Sequence, residues 1–290
     1  MATTTSTYLG VTQNLSRYQS MTAADPAVKT ASDYYAANIG NATSIDSFVG
    51  NYRLLSYALD AHGLGDQIDS KALIAKVLEG GVASSTSLAN TLADPRWKAF
   101  AAAFDFSGQG AASISTDTAI ATTKSDYVEN QLEVNQGASD VGVQLALYFQ
   151  RVAPTITNAY GILGDPNLLQ VVQTIFGLPP GTGSSNIDTE AATISKLVPL
   201  SDLQDPKKLL TLTERFTAMY DVTYGPSSGS SSSLTVASNG TSPIESAAST
   251  ILGGVISSNS ASIADSLSGG PLLFSNALLT SMQGLSLGGG

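Results

Sequence analysis

Four Asp-Pro pairs divide the sequence, and each stands where a run of helically spaced apolar residues begins. The pairs are Asp25-Pro26, Asp94-Pro95, Asp165-Pro166 and Asp205-Pro206. An aspartate side chain accepts hydrogen bonds from the free amides of a first helical turn, and proline suits the first helical position because no amide donor is needed there. The pairs therefore predict four helix starts.

The second pair lies in the clearest of these segments, Ser87–Phe106. Trp97, Phe100, Ala101 and Phe104 fall at positions i, i+3, i+4 and i+7, which form one face of a helix. Trp97 is the only tryptophan of the chain. Because aromatic residues at this spacing usually pack inward, we expect Trp97 and both phenylalanines in the core. Stacking of Trp97 on a ligand is the less favoured alternative.

The helical pattern predicts an all-α fold, a multi-helix body of two similar helical units with flexible N- and C-terminal segments. A weak internal repeat suggests the two units, since 63–66 resembles 162–165 and 94–106 matches 205–221. Repeated capping chemistry without duplication is the alternative. The predicted segments are a flexible lead-in at 1–24 with a helical stretch around 9–21, unit one at 25–106, a linker at 107–123, unit two at 124–221, a Ser/Gly linker at 225–243 and an apolar C-terminal tail at 244–290. We expect the two units to pack as one body. The tail is expected to depend on a partner or to dock onto the body, and plain disorder is the alternative.

Composition excludes several classes of function. The net charge is −10, and the single adjacent basic pair, Lys207-Lys208, is far too little to neutralise nucleic-acid phosphates. No apolar run approaches 18 residues, so we expect no membrane insertion, and the first residues lack the features of a cleaved signal peptide. The absence of cysteine excludes disulfides and thiolate metal sites.

No residue pattern in the chain predicts catalysis. His62 is the only histidine, and its place at the end of an apolar helix favours packing over a Ser-His-Asp arrangement. The residues 225–229 match G-x-S-x-G by letter but open a Ser-rich linker. Asp60, Asp66 and Asp69 are explained by a solvated loop. We therefore predict that the chain is not an enzyme and has no catalytic, cofactor-binding or metal-binding residues.

Three arginines lie among apolar residues on predicted helices. They are Arg53, Arg96 and Arg151. We expect each of them to pair with an acidic residue as a structural ion pair.

The first unit resembles an uncharacterised family of alphaproteobacterial proteins that are usually encoded among flagellar genes. The resemblance lies in Tyr52–Leu59, Ala61–Leu64, Lys71–Gly81 and Ser87–Phe106, and it extends more loosely over 124–221. Members of that family usually carry an aromatic residue at the position of His62, which weakens a catalytic role for this histidine further. The resemblance implies a flagellum-associated role without an established activity.

The composition, which is free of cysteine, acidic and rich in Ser, Thr, Ala and Asn, is also typical of exported flagellar proteins. Our hypothesis is a non-enzymatic structural or exported protein that reaches the flagellum or the medium by type III export. Its partners would be flagellar proteins or a second copy of itself, with the C-terminal tail as contact surface. The alternative is a cytosolic accessory protein or export chaperone for a flagellar substrate, and an enzyme is the least favoured hypothesis.

Overall fold

The computed structural model describes residues 2–106, 108, 110–179 and 186–225, and the predicted all-α fold is confirmed there. No β-strand occurs in these ranges. The predicted tail 244–290 and all of the predicted 225–243 linker except Gly225 lie outside the described residues. The helices are α1 (Thr4–Gln13), α2 (Leu15–Ala24), α3 (Pro26–Asn38), α4 (Ile45–Gly50), α5 (Tyr52–Ala61), α6 (Lys71–Gly80), α7 (Leu88–Thr91), α8 (Arg96–Ala103), α9 (Asp117–Gly137), α10 (Val141–Val152), α11 (Ala159–Leu163), α12 (Pro166–Phe176), α13 (Ile187–Leu197), α14 (Leu200–Gln204) and α15 (Pro206–Tyr224).

The Asp-Pro pairs begin helices, as predicted. Asp25, Asp165 and Asp205 each use Oδ1 to accept the first free amides of α3, α12 and α15, whose first residue is the proline. Asp94 accepts the amide of Arg96 at 2.9 Å, and α8 begins there, one residue beyond the proline. The same residue pair thus supplies the cap and the preset first turn in both halves of the chain.

A first hydrophobic core is enclosed by α3–α8. The predicted burial of Trp97, Phe100 and Phe104 is confirmed, since their exposed fractions are 5%, 0% and 1%. The ring of Phe104 stacks on Phe48 with centroids 5.1 Å apart. The stripe that the sequence presents at helical spacing is therefore the inner face of α8.

A second core is enclosed by α1 and α10–α15. Tyr8 and Val11 of α1 pack in it together with Phe149 of α10 and Phe216 of α15. All four side chains have at most 1% of their surface exposed. The second core is thus built from both ends of the described chain.

Helix α9, the longest in the described part of the chain, joins the two cores. Tyr127 stacks on Tyr57 of the first core with centroids 3.9 Å apart. Two turns later Glu133 forms an ion pair with Arg151 of α10. All described residues consequently belong to one compact unit, so the two predicted helical segments pack as one body. The predicted duplication stays a prediction. The two segments differ in one respect, since Asp165 caps α12 directly whereas Asp66, its counterpart in the first segment, lies in a short 3-10 turn before α6.

The structure corrects the expected flexible lead-in over 1–24, which forms α1 and α2. Thr3 and Ser6 make reciprocal capping hydrogen bonds at the start of α1. The carboxylate of Asp221, on α15, accepts the amides of the first two residues of α1 at 2.7 and 3.1 Å. Tyr8 is fully buried. The lead-in is helical because α15, which lies more than 200 residues later in the chain, supplies acceptors for the free amides of α1.

A predicted boundary also differs, here because of a local cap. The expected linker 107–123 ends early, because the side chain of Thr116 accepts an amide at 3.2 Å and α9 begins at the next residue. Between α4 and α5, Asn51 leaves the helical conformation and its side chain caps α5 at 3.2 Å. In the described ranges, no helix has both the length and the hydropathy required to cross a bilayer.

Candidate binding groove

A buried aspartate lies where the two cores meet. Asp165 has no exposed surface, and its Oδ1 accepts the amides of Asn167 and Leu168 at 2.9 and 3.2 Å. Its Oδ2 accepts the hydroxyl of Tyr148 and lies 3.8 Å from Nε of Arg96. Burial, and then the charge of Asp165, raise the pKa of Tyr148, so its hydroxyl stays protonated as a donor.

Arg96 extends this network into the first core. Its Nε donates to both carboxylate oxygens of Asp94 at 3.0 Å, and its Nη2 donates to Oδ2 at 2.8 Å. Its Nη1 donates to the carbonyl oxygen of Gly63 at 2.5 Å. Burial alone would lower the pKa of Arg96, but its hydrogen bonds to Asp94 and the surrounding negative charge raise it. The guanidinium of Arg96 therefore joins three segments of the chain, those of Gly63, Asp94 and Asp165.

The backbones of the two halves also come into close contact beside this network. A Cβ atom added at Gly164 would lie 2.6 Å from the carbonyl carbon of Ala93 and 2.8 Å from the amide nitrogen of Asp94. Real side chains do not tolerate such distances to backbone atoms. The glycine of the 162–165 segment is thus required by the packing of one half on the other.

A second buried ion pair joins α9 to α10. Nε and Nη2 of Arg151 donate to the two carboxylate oxygens of Glu133 at 2.6 and 2.8 Å. Glu133 is only 4% exposed, and burial raises its pKa while the bonds from Arg151 act in the opposite direction. The expected structural ion pairs of Arg96 and Arg151 are therefore confirmed. The expectation for Arg53 is wrong, because its guanidinium lies 3.6 Å from the ring centroid of Tyr34 in a cation–π contact and has no ion pair among the described residues.

The Glu133–Arg151 pair forms part of the wall of a groove of about 420 Å³, which we call the binding groove. Helices α2, α9, α10, α14 and α15 line it. Its apolar wall consists of Leu15, Leu132, Leu147, Leu203, Leu209 and two prolines, and its other polar groups are Gln19, Glu129, Gln150 and Gln204. A cleft of this volume between helices, mostly apolar with a few polar groups, has the general form of a ligand or peptide site. Sequence reasoning missed it because five helices from distant parts of the chain contribute to it.

A smaller polar cavity of about 310 Å³ lies on the other side of Glu133. It includes Asp60 and Asp66, two of the three carboxylates that the sequence places close together. Asp66 and Asp69 are exposed, as expected for a solvated loop, but Asp60 lies on α5, where burial raises its pKa. In the described part of the chain, no group of three or more His, Cys, Asp or Glu residues is placed to hold a metal ion.

His62 packs against aromatic rings, as expected. Its ring meets Phe100 and Phe104 edge-on with centroids 5.7 and 5.9 Å apart. Nε2 is buried and has no hydrogen-bond partner among the described residues. Burial, with a smaller contribution from the charge of Arg151, lowers the pKa of His62 to about 4. Of the 225–229 match to G-x-S-x-G, only Gly225 lies within the described residues.

Comparison with known proteins places this architecture in a family. The model of a family described as "Protein of unknown function (DUF1217)" matches residues 61–209, which is more than half of the chain. The chain belongs to this family. The crystal structure of protein AGR_C_984 from Agrobacterium tumefaciens is 39% identical in sequence, with a TM-score of 0.68 over 74% of this chain and 91% of that one. The expectation of an uncharacterised family is thereby confirmed, and the source of this neighbour fits the expected alphaproteobacterial range, whereas the flagellar locus stays a prediction. No curated protein matches the chain.

Proposed function

We propose that this protein binds other proteins rather than catalysing a reaction, and that it does so in association with the flagellum. The observation that carries the proposal is the binding groove, whose wall is apolar and whose most buried charges, Glu133 and Arg151, neutralise each other. Such a groove suits the apolar side chains of a partner.

Buried polar groups outside the groove support the same proposal, because they hold the fold. Asp165 caps a helix and accepts the hydroxyl of Tyr148, and Arg96 is held by Asp94 and a backbone carbonyl. His62 directs its ring at two phenylalanines. Each of these side chains has a structural use that explains its position without a substrate.

The flagellar part of the proposal rests on the resemblance of 52–106 to flagellar-locus proteins and on the acidic, cysteine-free composition. We place the protein at the flagellum or outside the cell after flagellar type III export. A cytosolic accessory protein or export chaperone is the second candidate. The binding groove favours it equally, since a chaperone also needs an apolar cleft for its substrate.

Cell fractionation distinguishes the two candidates. Cytoplasm, purified basal bodies and culture medium are probed for the protein in native cells and in cells with blocked flagellar export. We expect the protein in basal bodies or medium, and its loss from both when export is blocked. Strictly cytoplasmic protein, with reduced secretion of a flagellar substrate after deletion of the gene, would favour the chaperone. Unchanged motility, secretion and flagellar assembly after deletion would contradict both.

A further inference from the structure

The charges that line the binding groove do not balance. Two carboxylates, Glu129 and Glu133, and one guanidinium, Arg151, leave one negative charge. Arg151 gives both Nε and Nη2 to Glu133, so Glu133 is neutralised by its bidentate partner. Glu129 is thus the only lining carboxylate with no ion pair to any described residue.

Glu129 lies one helical turn before Glu133 on α9, at the edge of the groove. Its Oε1 accepts one hydrogen bond, from Nε2 of Gln19 at 3.2 Å, and its side chain is half-buried. A carboxylate can accept several hydrogen bonds, so most of its capacity stays free for a donor that enters the groove. A cation placed there would gain an ion pair that is partly shielded from solvent.

The apolar wall continues outward from this carboxylate to an exposed leucine. Leu15 at the start of α2 lines the groove and keeps 39% of its side chain exposed, whereas Leu132 and Leu209 deeper in the groove are almost fully buried. An apolar side chain seated on Leu15 would cover surface that otherwise faces water. The groove therefore offers apolar contact and one unpaired negative charge within a single cleft.

We propose that the binding groove receives an amphipathic helical segment of a partner protein, with leucine-like residues on its apolar face and a Lys or Arg beside that face. The apolar residues pack on Leu15 and the inner leucines, and the basic group pairs with Glu129. Helix-in-groove recognition uses this combination of a narrow apolar face and flanking charge. The inference deepens the proposed function, on which it rests, by naming the site and the chemistry of the partner.

The test uses the full chain and two synthetic helical peptides that share one leucine face. One peptide carries lysines beside that face and the other carries glutamates. Binding is measured by fluorescence anisotropy. Glu129→Gln removes the proposed charge, and Glu79→Gln is its matched control, because Glu79 is exposed on α6 and outside the groove. Leu15→Ser removes an apolar contact, and Leu210→Ser is its control, since Leu210 is equally exposed but does not line the groove.

We expect the lysine peptide to bind more tightly than the glutamate peptide. Glu129→Gln should weaken the lysine peptide about fivefold and leave the glutamate peptide no weaker, and Glu79→Gln should change neither. Leu15→Ser should weaken both peptides, whereas Leu210→Ser should not. Circular dichroism of each variant shows whether its fold is retained, so that a loss of binding can be compared between each variant and its matched control.

Three results would overturn the inference. They are the absence of saturable binding, equal losses for Glu129→Gln and Glu79→Gln, and saturation of the groove by octylammonium when neither peptide binds. The second would mean attraction by the overall negative charge, and the third would mean a site for small amphiphiles. These outcomes do not depend on where the protein is found in cells, so failure here and failure of the proposed function are separate results.

Discussion

Single side chains hold the junction between the two cores, and Asp165 has the most partners among them. One oxygen of its carboxylate caps α12 while the other accepts the hydroxyl of Tyr148 and faces Arg96. An asparagine of the same shape would keep the cap. It would lose the negative charge, and its NH2 group would point its hydrogen atoms at the donors Tyr148 and Arg96.

Asp165→Asn should therefore destabilise the protein by about 1–3 kcal/mol, because the buried hydroxyl of Tyr148 loses its carboxylate acceptor. Urea denaturation measures the change. Asp33→Asn is the control, since Asp33 pairs with Lys29 on the exposed surface of α3, where little effect is expected. Equal losses for the two variants would contradict the assigned role of Asp165.

His62 should make the folded protein less stable as the pH falls. Its folded pKa is about 4, below the 6.5 of a free histidine, so between these values the unfolded chain binds a proton that the folded chain does not. His62→Phe removes this difference. Relative to the variant, wild-type stability should fall by up to about 3 kcal/mol between pH 6.5 and pH 4. Urea titrations at several pH values measure it, and a constant difference would show that His62 does not titrate as assigned.

Trp97 is expected to act as a core anchor. It is 5% exposed and packs edge-on against Phe100, with ring centroids 6.3 Å apart. Trp97→Ala should reduce the free energy of unfolding by about 3–5 kcal/mol through lost burial and a cavity. Tyr52→Ala, at a 61% exposed aromatic residue, is the control and should change stability little. A small loss for Trp97→Ala would mean that α8 relaxes into the space.

At the scale of elements, the helices most difficult to predict are those whose partners are distant in sequence. The helical stripe of α8 and the Asp-Pro starts depend on neighbours a few residues away, and the sequence predicts them. Helix α1 has no charged residue, and its first turn is completed by Asp221. The binding groove has the same origin, since Leu15, Glu129 and Leu209 come from three distant segments. No local pattern reveals such contacts.

Removal of the carboxylate that caps α1 should loosen this helix alone. Asp221→Ala deletes hydrogen bonds from the amide of Thr4 and from the amide and hydroxyl of Thr5, a loss of about 1 kcal/mol. Amide hydrogen exchange should accelerate over α1 and stay unchanged over α3. The matched variant Asp25→Ala removes the cap of α3 and should produce the reverse pattern. Uniform acceleration across the chain would contradict independent local capping.

At the scale of the whole molecule, α9 makes the two cores depend on each other. Its Tyr127 stacks on Tyr57 of α5 and its Glu133 pairs with Arg151 of α10, so α9 contacts helices of both halves. The sequence boundary at 124 divides this helix and leaves its first turns in the predicted linker. The weak sequence repeat predicts two units. The burial of Tyr57 in unit one, however, depends on stacking by Tyr127, which belongs to unit two.

A fragment of residues 25–106 should therefore not fold, although the sequence predicts it to be a helical unit. Without α9 it exposes Tyr57 and the neighbouring apolar surface of α5 to water. Circular dichroism and one-dimensional NMR should show low helicity and poor dispersion. The fragment 1–225, which keeps both cores, should retain a cooperative thermal transition. A well-dispersed spectrum for 25–106 would show that unit one is autonomous.

The contact between α1 and α15 also has a consequence for the timing of synthesis. The amide of Thr4 and the carboxylate that caps it are 217 residues apart. At about 5–20 residues per second, a ribosome needs about 10–40 s between making one and making the other. Throughout this interval Tyr8 and Val11 lack their binding surface on α15. The nascent chain therefore exposes an apolar N-terminal segment that a factor at the ribosomal exit can bind until α15 has been made and packs on α1.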